Sequence, residues 1–134
     1  FLMTLDQSVG LVMHAMQHAT GGEIFVRKAP ASTIGKLAEA VCQKFSLKGT
    51  DHPIDITGIR PGEKLHETLV NEYEMQRVTE EEIFYAIHPE YHVPEYRAEQ
   101  PLGTEYTSAN TRQLDSAADI EPLLDKMGEV ELYI

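Results

Sequence analysis

Ile54-Asp55-Ile56-Thr57-Gly58-Ile59-Arg60-Pro61-Gly62-Glu63-Lys64 joins an alternating apolar and polar run to a turn that carries charge. Ile54 and Ile56 alternate with Asp55 and Thr57, which predicts a short strand with both isoleucines on one face. Gly58, Pro61 and Gly62 end it. Pro61 fixes one φ angle and biases Arg60 toward extended backbone, while Gly62 opens conformations closed to other residues, so the turn is expected to be stiff. A guanidinium on a stiff turn loses little entropy in a bidentate contact with a phosphate, and a carboxylate three positions on accepts hydrogen bonds from sugar hydroxyls. Arg60 and Glu63 together have the make-up of a pair that reads a sugar nucleotide. The alternative for the same residues is a solvated Pro-Gly turn with a weak surface ion pair.

Upstream of this stretch, Glu23 to Arg27 reads as a strand centred on Ile24, Phe25 and Val26. Ser32 is placed to cap a helix in which Ile34, Leu37, Ala38, Val41, Cys42 and Phe45 form an apolar stripe at the helical period. Strand, helix and strand make a βαβ unit, whose two strands are expected to be parallel. Arg60 and Glu63 would then leave the carboxyl end of a parallel strand, the edge where open α/β sheets bind ligands.

The flanks are read in the same way. Thr4 and Gln7 have the spacing of a capping box, and Leu5, Val9, Val12, Met13 and Met16 recur at helical intervals, predicting a helix over Leu5 to Ala19 that Gly21-Gly22 ends. His14 and His18 share metal-ligand spacing on it, but without a third ligand in view they read as solvent-facing. Leu65 to Val70 reads as one or two helical turns, Glu80-Glu81-Glu82 as a solvated run and Ile83 to Ile87 as a strand. From His88 to Gly103, Pro89, Pro94 and Pro101 remove periodicity and predict an extended arm or ordered loop. Asp119 is placed to cap a last helix lined by Ile120, Leu123, Leu124 and Met127, with Pro122 in its first turn and Gly128 after it.

Lys plus Arg total 11 against 22 for Asp plus Glu, a formal net charge of -11 over 134 residues, which disfavours nucleic acid and anionic membranes. Screening over about 8–10 Å leaves local binding near Arg60 open. One cysteine, Cys42, excludes an intrachain disulfide framework, suits a reducing compartment and reads as core. No signal peptide or membrane-spanning apolar run is seen, so a soluble, cytoplasmic protein is expected. The start at Phe1-Leu2-Met3 suggests a fragment. A strand, glycine-rich turn and helix of the dinucleotide-binding kind is missing, since Gly21-Gly22 follow a helix. Nor is there a tyrosine followed four residues later by lysine, a nucleophile turn, a P-loop or a metal cluster, so no catalytic, cofactor or metal residue is assigned.

Four pieces, taken in order, carry a family resemblance: Thr4-Leu5-Asp6-Gln7, Gly22 to Ala31, Gly58 to Leu69, and Tyr106-Thr107-Ser108-Ala109-Asn110-Thr111. They resemble the carboxyl-terminal part of bacterial capsular-polysaccharide and O-antigen UDP-N-acetylglucosamine 4,6-dehydratases that invert C5, members of the extended short-chain dehydrogenase/reductase superfamily. The resemblance implies an α/β fold in which residues 1–87 form a substrate-binding part and 88–134 a polysaccharide-biosynthesis extension of arm and helix, with the Rossmann half absent. It places Arg60 on the diphosphate and Glu63 on the nucleotide ribose of a UDP-sugar. For the complete enzyme it implies NAD(P), an amino-terminal Rossmann half and a homo-oligomer, and for this piece alone no activity. A free-standing interaction or regulatory remnant and a fragment of a UDP-sugar 4-epimerase are the alternatives, the second disfavoured by the Tyr106 piece.

Overall fold

Phe84–Ile87 form a strand in which every residue is buried, and a run of four apolar side chains can achieve that only where both faces of a sheet are covered. The structure, a computed structural model, describes residues 1–46, 52–92 and 103–126. In chain order it comprises α1 (Leu5–His18), β1 (Ile24–Arg27), α2 (Ile34–Phe45), β2 (Thr68–Val70), α3 (Glu72–Met75), β3 (Val78–Glu80), β4 (Phe84–Ile87), a 3-10 turn at Glu90–His92, β5 (Tyr106–Thr107) and α4 (Ala117–Asp125).

β4 is the centre of a three-stranded sheet ordered β1-β4-β3, and both of its pairings are antiparallel. On one face Tyr85 and Ile87 pack with Val70 and Tyr106, against Phe1, Val26, Met75 and Val78. On the other, Phe84 stacks on His14 of α1 at 4.0 Å between ring centres, and Phe25 meets the same imidazole edge-on at 5.3 Å. A second cluster joins α2 to α4: Ala40, Leu114, Ile120 and Leu124, with Leu37, Phe45 and Leu123 around them. The fold is therefore α/β, with two small cores rather than one among the described residues.

The segment leaving β1 ties these cores together. The Tyr106 hydroxyl accepts from the Ala29 N–H at 2.8 Å and lies 2.9 Å from the Ala29 carbonyl, to which it donates. Thr111 Oγ1 donates to the same carbonyl at 2.8 Å. Ala31 exchanges backbone bonds with Arg112 and Leu114, and the Ser32 hydroxyl donates to the Leu114 carbonyl at 2.7 Å.

Several expectations are corrected. No βαβ unit forms: residues 54–57 belong to no strand, Ile56 is 95% exposed, and β1 pairs with β4 instead. Two exposed isoleucines offer one half-face to bury, whereas β4 buries both. Thr68–Val70 is a strand, not a helix, because Val70 enters the sheet-side core and β2 pairs with β5. Thr33 caps α2 in place of Ser32, whose hydroxyl is taken by Leu114. Ser116 caps α4, and Asp119 is the returning member of its capping box. His14 is not solvent-facing: its side chain is 16% exposed, with Nε2 3.1 Å from a Glu81 carboxylate oxygen. Glu80 is held by Lys28 at 2.6 Å, so the acidic run is not simply solvated.

Other readings stand nearly where the sequence put them. The Thr4 and Gln7 capping box is formed, α1 ends one residue early at His18, and β4 lies within Ile83 to Ile87. The apolar stripe of α1 nevertheless faces outward, with Leu5, Val9, Val12 and Met16 all more than half exposed. Cys42 is half-buried rather than core. The arm is described only as far as His92 and again from Gly103, and Met127 and Gly128 lie outside the described residues. Among the described residues no helix is long and apolar enough to cross a membrane.

Two consequences are measurable. Tyr106→Phe keeps the ring but leaves the buried Ala29 N–H without its acceptor, so chemical denaturation is expected to show a loss of about 1–3 kcal/mol. Glu23 folds back on the turn after α1, where the Thr20 hydroxyl, then the Gly21 N–H, hold its carboxylate ionised down to about 2. Because that value is depressed from 4.5, the staple's contribution is complete above 4.5 and lost as pH falls through about 2. The Gly21 amide resonance should titrate with the lower midpoint.

Candidate functional site

Pro61 and Gly62 occupy the centre of a turn closed by the Glu63 N–H donating to the Arg60 carbonyl at 3.1 Å. Proline in the first central position and a glycine at φ +90° in the second are the signature of a type II turn, which other residues enter only with strain. The Glu63 carboxylate returns to the Arg60 N–H at 2.8 Å. These reciprocal bonds lock the two residues together through the backbone. The surface ion pair weighed as the alternative does not form, since the Arg60 guanidinium has no carboxylate partner among the described residues. Arg60 and Glu63 are both exposed, and every residue from 52 to 69 is exposed with them.

The turn does not leave the carboxyl end of a parallel strand, as the sequence suggested; it stands ahead of β2, which carries the chain into the core at Val70. β2 is held by β5 with Thr68 opposite Thr107 and Val70 opposite Tyr106. Beyond that ladder, the Glu67 N–H donates to Ser108 Oγ at 3.0 Å, and the Ser108 N–H donates to the Glu67 carbonyl at 2.8 Å. Asn110 shapes the loop beneath: its Oδ1 accepts from the Thr107 N–H at 2.8 Å and its Nδ2 donates to the Glu105 carbonyl at 2.6 Å.

A cleft of about 400 Å³ opens beside β5, lined among others by Lys28, Tyr85, Tyr106, Asn110 and Arg112. Arg60 and Glu63 do not line it. Lys28 is occupied there by Glu80 and the Glu81 carbonyl. Burial pushes the Tyr85 phenol above its ordinary range, the Glu80 charge adding to it and the Lys28 charge opposing it.

The paired glycines Gly21 and Gly22 do not form a dinucleotide turn. Gly21 and Gly22 lie between a helix and a following strand, the reverse of the strand, glycine turn and helix that cradles a pyrophosphate. Among the described residues no three His, Cys, Asp or Glu side chains gather as metal ligands.

Sequence reasoning singled out Arg60 and Glu63 but missed the bonds that join Glu67 to Ser108 on the carboxyl side of the turn. A local sign existed, since Thr107 and Asn110 have the spacing of a side-chain-closed turn; the Ser108 contact with Glu67 is long-range and leaves no periodic trace.

The family model described as "Polysaccharide biosynthesis protein" matches residues 1–89. The chain is 39% identical over 123 residues to a UDP-glucose 4-epimerase of Rickettsia canadensis, covering 86% of this chain and 35% of that protein. It is 37% identical over 133 residues to the UDP-glucose 4-epimerase of Rickettsia felis, covering 38% of it. The fold is also that of a solved structure, "X-ray structure of Pen from Bacillus thuringiensis", with TM-score 0.76, 26% identity, and coverage of 96% of this chain and 37% of that one. The chain thus spans little more than a third of the length of the relatives it matches.

Because nothing lies within 4 Å of the position a Gly62 Cβ would take, Gly62→Ala tests backbone strain alone. At about 1–2 kcal/mol, that strain should open the turn, read as faster hydrogen exchange at the Glu63 amide with β4 amides unchanged.

Proposed function

The chain belongs to the polysaccharide biosynthesis protein family, and on that premise we propose that it is the substrate-binding, carboxyl-terminal part of an enzyme that modifies a UDP-sugar. The observation that carries the reading is the Arg60 to Glu63 turn, whose two hydrogen bonds leave the guanidinium without a carboxylate partner among the described residues, on a stiff support. A guanidinium so placed meets a diphosphate with little ordering cost, and Glu63 keeps a carboxylate oxygen for ribose hydroxyls. Substrate contact is the whole of its contribution. The reaction's hydride chemistry, with NAD(P), is assigned to a part of the enzyme outside this chain.

The outward apolar stripe of α1 and the exposed Ile56, Ile59 and Leu65 support the same reading, because surfaces of this kind suit packing against a larger remainder. The substrate we favour is UDP-N-acetylglucosamine, undergoing 4,6-dehydration with inversion at C5. That choice rests on the likeness of the Gly58 to Leu69 and Tyr106 to Thr111 pieces to such dehydratases. A second reading, 4-epimerisation, is favoured by the names of the rickettsial relatives. The two differ in product: dehydration yields a keto sugar lighter by a molecule of water, and epimerisation leaves the mass unchanged. Mass spectrometry of the intact enzyme supplied with UDP-N-acetylglucosamine and with UDP-glucose separates them.

Arg60→Ala in that enzyme is expected to raise KM for the UDP-sugar by roughly ten- to a hundredfold, the loss of one charge-assisted contact of about 1.5–3 kcal/mol, without disturbing cofactor binding. Equal losses for both ligands would remove the turn from the substrate site.

A further inference from the structure

We propose that Ser108 is a positioning residue for the Arg60 to Glu63 turn, a role that rests on the reading of that turn as the nucleotide site. Residues 52 to 69 are exposed throughout, so packing within this chain does not place the turn. What places it is backbone bonding on its carboxyl side. The two-point clamp between Ser108 and Glu67 is the tether nearest the turn on that side. Glu67 lies four positions after Glu63, a fully extended reach of only ~13–14 Å, so a fixed Glu67 confines where Glu63 and Arg60 can go.

Ser108 is itself anchored. Its carbonyl accepts from Gln113 Nε2 at 2.9 Å, and Tyr106, two positions before it, is bonded to the buried Ala29 peptide. Hydrogen bonds at Ala29–Tyr106 and Ser108–Glu67, joined by short covalent stretches of chain, therefore link the core to the segment that carries the turn. Ser108 is the point in that link where a side chain, not backbone alone, makes the connection to the turn's own segment. An alanine there keeps the Ser108 N–H bond and drops the hydroxyl acceptor, so half of the clamp is lost without touching Tyr106.

The test uses the chain with three variants: Ser108→Ala, Ser108→Thr and Arg60→Ala. Hydrogen exchange at the Arg60, Glu63 and Glu67 amides and the affinity for UDP, titrated into the millimolar range, are measured on each. Unchanged Ala29 and Ala31 exchange certifies that the fold is kept. Ser108→Ala is expected to speed exchange at all three turn-side amides and to weaken UDP binding about three- to tenfold, with Ser108→Thr restoring both. Unchanged exchange at Arg60 and Glu63 overturns the proposal whatever UDP does. So does faster exchange with undiminished UDP affinity while Arg60→Ala weakens it. UDP held equally by Arg60→Ala refutes the turn as the nucleotide site, and the exchange data then still decide whether Ser108 holds it.

Discussion

The bond between the Tyr106 hydroxyl and the Ala29 peptide is the constraint on which the rest of this structure depends. It is buried, and it satisfies both the backbone donor and the backbone acceptor of one residue, Ala29, at the point where β1 stops and the chain turns toward α2. Around it, Leu2 bonds to Pro30, Ala31 to Arg112 and Leu114, and Ser32 to Leu114. The sheet-side core lies on one side of this knot and the α2 and α4 core on the other. The Tyr106 to Ala29 bonds between them are buried, a water-poor setting in which each is costly to break.

Elements whose signal is local were legible in the sequence. The first helix announces itself by Thr4 and Gln7, and β1 and β4 by unbroken runs of β-favouring side chains. Elements that exist because of a distant partner were not. β2 and β5 are three and two residues long, too short for periodicity, and form because Val70 and Tyr106 meet beneath Tyr85. Leu65 and Leu69 have the spacing of a helical pair, yet both stay in solvent while Val70 alone is drawn inward. The alternation of Ile54 to Thr57 predicted a strand that no neighbour completes.

The candidate site divides along the same line. The turn chemistry was readable because proline and glycine act on their own backbone, and the type II geometry follows from those two residues. Its location was misread, since the parallel strand that should have delivered it is not there. The Glu67 to Ser108 bond beside it was invisible, because a serine hydroxyl meeting a backbone N–H 41 positions away looks like any other surface serine.

The wiring of the sheet has a consequence for how the chain reaches its native state. β3 and β4 form a local hairpin able to close early, whereas β1 must wait for β4 and Ala29 must wait for Tyr106, 77 positions later. On a ribosome, α1 and β1 leave the exit tunnel well before either partner has been made. Synthesis that proceeds from the amino end therefore keeps the Phe25 and Val26 faces waiting for cover, and loop-closure entropy over these separations sets a slow final step.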